Sequence, residues 1–290
     1  MALTYLMTDP AHFEVCYQIN PWMKPDAWGA DRATQRAAAI AASGELAGAI
    51  RNSGGDIEYV GAVNGLPDLV FPANAAIVLD GRVLLARFRC AERQGEEPVF
   101  RAAFEQLKRD GLVAEVQDLP DGVFQEGAGD CIWDVDRGFF WVGYGQRSTE
   151  TSVAAIEIVF GEKTVALELA SPRFYHLDTC FCPLAGGHVL YYPPAFTPDS
   201  LERLRAHVAA SQRIEATDEE AAAFCVNAVN IGSRIIMAKA PESLKAKLSA
   251  RGFQVAEVDL APFILSGGAA YCMTLRLDRV RTERAVRAAE

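Results

Sequence analysis

The chain has no surplus of positive charge, no long hydrophobic run and few histidines, and each shortage narrows what it can do. Its 28 Lys and Arg are outnumbered by 38 Asp and Glu, a formal charge of −10. That balance argues against nucleic-acid and anionic-membrane partners, which need a basic surface, and favours a cationic small molecule. No stretch approaches the roughly 20 apolar residues that span a bilayer. The start, MALTYLMTDPAHFEV, lacks the basic region and apolar middle of a secretory signal. Metal-binding text is also missing: there is no HExxH and no CxxC pair at zinc-finger spacing. Neither a GxxxxGK(S/T) phosphate loop nor a strand-borne GxGxxG occurs, and RNSGGD and LAGGH read as turns. No metal and no cofactor is therefore expected. No low-complexity linker or shift of composition divides the chain, so 1–290 reads as one domain.

What is present is ordinary globular text, 50% hydrophobic and 23% charged. Seven cysteines, an odd number, lie mostly in apolar runs where a free thiol behaves as a small hydrophobe; this points to a reduced, cytoplasmic protein. An apolar strand pair recurs, opened each time by a small polar or reactive residue. The openings are Asn74 (NAAIVLDGRVLLARF), Asp130 (GDCIWDVDRGFFWVGYG), Asp178 (LDTCFCPLAGGHVLYYP), Asn227 (NAVNIGSRIIMA) and Cys272 (YCMTLRL). The interval is roughly 45 to 56 residues, a repeat-protein period. Helical patterns lie between the pairs, at 33–50, 98–109, 198–209 (with Asp199 or Ser200 as N-cap) and 241–250. Small sheet plus helix, repeated, predicts an α/β fold arranged radially about an axis, with the opening residues facing the middle.

Three stretches carry the chemistry: QEGAGDC around Glu126, FYHLDTCF around His176 and SGGAAYCMT around Cys272. A carboxylate, an imidazole and a thiol are the parts of a nucleophile–base–acid set. Cys272 is the candidate nucleophile, His176 the general acid and base, and Glu126 the group that orients the imidazole. The bland alternatives are a buried structural Cys and a hydrogen-bonded structural His. Cys180 and Cys182 read as structural strand residues, and His12, His188 and His207 lack an acidic partner in a reactive motif.

These stretches resemble the guanidine-modifying superfamily, the penteins, whose fold is a five-bladed α/β propeller. The matching text is CYQINPWM (16–23), LPDLVFPANAAIV (66–78), EGAGD (126–130), HLDTCF (176–181), CVNAVNIG (225–232) and GGAAYCMTL (267–275). The resemblance implies that Cys272, His176 and Glu126 act together on a guanidine C–N bond. EGAGD has one residue more than the usual EGGD or DGGD, which leaves Glu126 and Asp130 both open as partner of His176. Glu126 is preferred, because in relatives the acid before the glycines assists catalysis. Deiminases and dimethylarginine hydrolases carry Asp three residues after the Phe of the first strand motif; here that position is Asn74, as in the arginine dihydrolases.

Asp178, two residues beyond His176, would share its side of a strand and grip the guanidinium, a task open to Asp130 as well unless it only closes a turn. Arg147 is the candidate for the substrate's α-carboxylate, with Arg89 and Arg93 as alternatives. Asn20 and Asn227 would bind polar substrate groups or merely satisfy turns. Asn74, neutral and able both to donate and to accept, would retain a ureido product for a second round. The expected activity is arginine dihydrolysis, to ornithine, ammonia and carbon dioxide. The alternatives are a dimethylarginine dimethylaminohydrolase, giving citrulline and an alkylamine, or an amidinotransferase. A non-catalytic propeller is the rival from another class. The end, RLDRVRTERAVRAAE, carries no second catalytic domain in this reading, and self-association is left open.

Overall fold

A computed structural model describes residues 3–281; the last nine residues of the C-terminal stretch discussed above lie outside them. Five three-stranded mixed sheets make up the fold. In each, two strands pair antiparallel, a helix follows the second of them, and a third strand returns parallel to that second one. The second blade shows the pattern. Ala76–Leu79 and Arg82–Leu85 form a hairpin, the helix Glu96–Arg109 crosses over, and Glu115–Gln117 lies parallel to Arg82–Leu85. The third, fourth and fifth blades repeat it, with helices Ser152–Phe160, Pro198–His207 and Glu242–Ser249. The first blade closes the ring. Leu275–Arg276 pairs antiparallel with Leu3–Thr8, Tyr5 opposite Arg276, and the helix Arg32–Asn52 leads to Gly55–Val60. This is the five-bladed α/β propeller expected from the repeat.

The hydrophobic core is divided into five clusters, one at each junction between neighbouring blades. Ile77, Leu79 and Leu84 pack against Trp133, Phe140 and Phe160 of the next blade, whereas Ala76, Val78, Val83 and Leu85 pack against Leu6 and Leu275 of the previous one. Alternate residues of a strand point to opposite faces, and here both faces are buried. That is why the hairpins read as continuous apolar runs rather than as alternation. The turns that open the blades bury the polar side chains Asn74, Asp130, Asp178 and Asn227.

Four of the five blade helices match the expected segments. Ser152–Phe160 (SVAAIEIVF) was not anticipated, since its β-branched apolar text has no helical stripe. Helix Pro198–His207 is capped by the Thr197 side chain, which accepts from the Ser200 amide, so neither Asp199 nor Ser200 is the N-cap. Pro at the first helical position has no N–H to satisfy and places the cap one residue earlier. Among the described residues no helix is long and apolar enough to cross a membrane.

Candidate active site

The residues that open the blades sit in tight turns, not in the strands where the sequence pattern placed them. Pro72–Asn74, Gly127–Gly129 and Leu177–Thr179 are 3-10 turns, each directly before the first strand of its blade. Asn227 and Cys272 occupy equivalent turns, closed by Asn227 N to Phe224 O at 3.2 Å and Met273 N to Ala269 O at 3.1 Å. His176 is extended and caps the Leu177–Thr179 turn. Its relation to Asp178 therefore comes from the turn rather than from strand alternation.

Glu126 and His176 form the central pair. Glu126 Oε2 lies 2.7 Å from His176 Nε2, and its Oε1 accepts from the Arg89 amide at 3.0 Å. Arg147 Nη1 donates to Oε2 at 3.3 Å. Burial opposes the charge, but the His176 hydrogen bond and the Arg147 guanidinium hold this carboxyl down at about 2. Asp130 does not compete for the imidazole. Its Oδ1 accepts from Leu177 N at 2.9 Å and its Oδ2 from Ser148 Oγ at 2.6 Å. Asp130 thus braces the turn that carries His176, in keeping with the turn-closing alternative for this residue. Buried without a cation in contact, it is pushed up to about 6.

Cys272 lies between two side chains. Its thiol donates to Asp178 Oδ2 at 3.1 Å and receives Asn227 Nδ2 at 3.0 Å. Burial and the Asp178 charge push the thiol well above its ordinary value. Burial likewise pushes Asp178 up to about 7, and its Oδ1 is buried without a hydrogen-bond partner. An N–H-rich cation would satisfy that acceptor.

Asn227 is spent on the nucleophile's turn: Oδ1 accepts from Tyr271 N at 3.0 Å and Cys272 N at 3.1 Å. Asn20 bonds Ser266 O through Nδ2 at 3.0 Å, and its Oδ1 accepts from Trp22 N at 2.9 Å and Met23 N at 3.1 Å. Both amides are turn-holding groups, although Asn20 also faces the cavity.

That cavity brings Cys272 together with Asn74, Arg93, Arg147 and Asp68, and its free space is about 10 Å³, room for a single water. Arg147 lies in it, stacked 4.8 Å from the Tyr175 ring centre, with Nη2 donating to Ile19 O at 2.8 Å. Arg89 is elsewhere, bonding Gln146 O at 3.0 Å. Asn74 joins the two halves of the site. Its Nδ2 is 3.3 Å from His176 Nδ1, and the preceding amide, Ala73 N, bonds Cys272 O at 3.2 Å. The EGAGD glycines are explained here. Gly127 has φ +64, and a Cβ on Gly129 would come 2.2 Å from Asn74 Nδ2. The pair before the nucleophile is equally confined, since a Cβ on Gly268 would meet the Phe71 ring at 2.3 Å.

Asp68 went unassigned in the sequence because it lies in apolar text. It accepts from Tyr17 Oη at 2.9 Å and Ser266 Oγ at 2.9 Å, and a buried acid beside PANAA is the signal that would have found it. A larger cavity opens behind the Cys272 turn, lined by Tyr271, Thr274 and Arg279, and holds none of these reactive groups. Among the described residues no group of His, Cys, Asp or Glu is arranged to hold a metal.

A thiol and an imidazole–carboxylate pair carried by the turns of five α/β blades are the parts of a cysteine-dependent hydrolase. The family model described as "N,N dimethylarginine dimethylhydrolase, eukaryotic" matches residues 9–279, and the chain belongs to that family, within the pentein superfamily. It is 42% identical over 272 residues to the bifunctional arginine dihydrolase/ornithine cyclodeaminase ArgZ of Synechocystis sp., covering 94% of this chain and 37% of ArgZ. The N(G),N(G)-dimethylarginine dimethylaminohydrolase of Mycobacterium tuberculosis is 33% identical over 273 residues, covering 94% of this chain and 85% of that protein. A solved complex of an AgrE variant with L-arginine, from the Nostoc sp. bifunctional enzyme, superposes with TM-score 0.89 at 40% identity. That match covers 96% of this chain and 40% of the AgrE chain. The chain thus spans well under half the length of the bifunctional relatives.

Proposed function

We propose that the chain is an arginine dihydrolase, converting arginine and two waters to ornithine, two ammonia and carbon dioxide at Cys272, without a cofactor. The observation that carries this reading is the neutral amide of Asn74, 2% exposed, set between the nucleophile's turn and the His176 imidazole. Similarity to ArgZ and AgrE along 94% or more of this chain supports it. Seven free cysteines suit a reducing compartment such as the cytoplasm.

The steps follow from the groups in place. The substrate guanidinium supplies the N–H that Asp178 Oδ1 lacks, and its positive charge favours the Cys272 thiolate that burial otherwise opposes. The thiol proton, directed at Asp178 Oδ2 before substrate binds, is passed on to His176 as Sγ attacks the guanidinium carbon. The C–N bond breaks, and the same proton leaves on the amine as ammonia. Water then gives a proton to His176 and attacks the thiouronium carbon; the C–S bond breaks, His176 returns that proton to the Cys272 thiolate, and citrulline remains. A second round at the ureido carbon consumes a second water and ends in ornithine, ammonia and carbon dioxide. Glu126 steadies the imidazolium in each round.

Arg147 keeps donors to spare for the α-carboxylate, whereas Arg93 already uses four of its five N–H groups on protein acceptors. Ile19 and Asn20 line the same cavity.

The family match favours one second reading: hydrolysis of a methylated arginine to citrulline and an alkylamine. Mass spectrometry of products from arginine, dimethylarginine and citrulline separates the two. Ornithine from arginine, absent with Cys272→Ser, supports the dihydrolase. Citrulline from dimethylarginine alone overturns it.

A further inference from the structure

The charged pair behind Asn74 constrains more than that side chain's place. Arg93 and Glu96 are both buried, 3% and 1% exposed. Arg93 Nε donates to Glu96 Oε1 at 2.8 Å and Nη2 to Oε2 at 2.7 Å, a two-point grip that fixes the plane of the guanidinium. Held so, Nη2 also donates to the Asp68 carbonyl at 3.2 Å, and Nη1 to Asn74 Oδ1 at 2.8 Å.

A guanidinium has only donors, so the Asn74 amide can turn only its oxygen toward Arg93. Its Nδ2 then faces His176 Nδ1 at 3.3 Å. An amide N–H needs a lone pair opposite it, which makes Nδ1 the bare nitrogen of a neutral ring. The ring proton is thereby assigned to Nε2, 2.7 Å from the Glu126 carboxylate, where an acceptor is waiting. The two ends of the imidazole agree on one tautomer. Reversing the amide would put an oxygen against Nδ1 and call for a proton there.

We propose that Glu96, which does not line the cavity, is a positioning residue for the reaction: through Arg93 and the Asn74 amide it holds His176 in the Nε2–H tautomer. Nδ1 is thereby kept bare to receive the proton of the thiol and then of the water. This deepens the acid–base role given to His176 above and rests on that reading. Glu126 favours the same tautomer from the Nε2 side, so the part of the Asn74 amide is to keep Nδ1 without a proton; the remaining charged groups around the ring select neither. Arg147 binds Glu126 on the Nε2 side, and the carboxylate of Asp130 is occupied by Leu177 N and Ser148 Oγ.

The test reads the ring itself in the full chain without substrate, so its failure is distinct from failure of the product assay. With only four histidines, ¹⁵N-histidine labelling resolves each ring, and His176→Asn identifies the signals of interest. The wild type is expected to show a bare Nδ1 and a protonated Nε2. In Glu96→Gln an amide N–H₂ replaces one carboxylate oxygen and opposes an Arg93 donor, so the fork shifts and the Asn74 amide is released. Its Nδ1 signal is expected to move toward the protonated range, with kcat lowered about tenfold and KM changed less. Should Glu96→Gln fail to fold, Asn74→Leu, which deletes the amide and leaves the Arg93–Glu96 pair, must release the same tautomer. A wild-type ring protonated on Nδ1, or ring signals unchanged in a folded Glu96→Gln or Asn74→Leu, overturns the proposal.

Discussion

Asn74→Asp is the substitution that bears most directly on one round or two. It changes no volume, so the turn Pro72–Asn74 and its neighbours have no reason to move. Arg93 Nη1, 2.8 Å from Oδ1, holds the new carboxyl ionised. What changes is the other arm. Where Nδ2 now offers an N–H beside His176 Nδ1, the variant offers a second acceptor. A guanidinium, all donors, tolerates that exchange or gains from it. The ureido oxygen of citrulline loses a donor and faces a negative charge instead. Leaving one buried acceptor unmet costs about 1–3 kcal/mol, which at about 1.4 kcal/mol per factor of ten is a loss of roughly five- to 150-fold in commitment to the second round. Quenched time courses with arginine, read by mass spectrometry for citrulline and ornithine, give the ratio directly. An oxygen facing His176 Nδ1 should slow both rounds alike, so the reading rests on the ratio: ornithine to citrulline should fall at least about fivefold. An unchanged ratio in a folded variant would refute the role assigned to Asn74.

Other outcomes follow from the same geometry. Gly129→Ala places a methyl 2.2 Å from Asn74 Nδ2 and 3.5 Å from His176 Nδ1. Overpacking should cost about 1–3 kcal/mol of stability and lower kcat, and a variant with wild-type Tm and kcat would contradict the packing described. Asp178 must be ionised to hold a cation and is pushed up to about 7 by burial. Log kcat/KM should therefore fall with unit slope as pH drops below about 7, and a flat profile from pH 5 to 8 would exclude Asp178 as the cation's counter-charge. Glu126 is held at about 2 against an ordinary 4.5. Its stabilising contribution, about 3 kcal/mol, is present above pH 4.5 and lost as pH falls toward 2. Chemical denaturation across that range should show the loss in wild type and not in Glu126→Gln.

Much of the site was legible because its groups are chemically uncommon and sit in text with a recognisable order. Cys272, His176 and Glu126 needed no coordinates to be singled out, nor did Arg147 and Asn74. Most of the blade helices were legible from apolar spacing, as in PVFRAAFEQLKR, where Phe100, Phe104 and Leu107 are buried. The third strands were not legible. Glu115–Gln117 and Arg213–Glu215 are three residues long and partly polar, too short for a period to register. Nor does any local signal tell Leu3–Thr8 to pair with Leu275–Arg276; that pairing joins the two ends of the described chain.

The chain's own text determined its chemistry: a thiol, an imidazole, carboxylates and a neutral amide, opening blades of a repeated α/β unit. Tertiary structure alone decided which of these groups meet. Glu126 and Asp130 are four positions apart, yet one binds the imidazole and the other the backbone of Leu177. The choice depends on how the Gly127–Gly129 turn is pressed against Ala73 and Asn74 of the neighbouring blade. The Arg93–Glu96 grip on the Asn74 amide was hidden for the same reason. Hydrogen-bond direction depends on what lies opposite each atom, and what lies opposite comes from elsewhere in the chain.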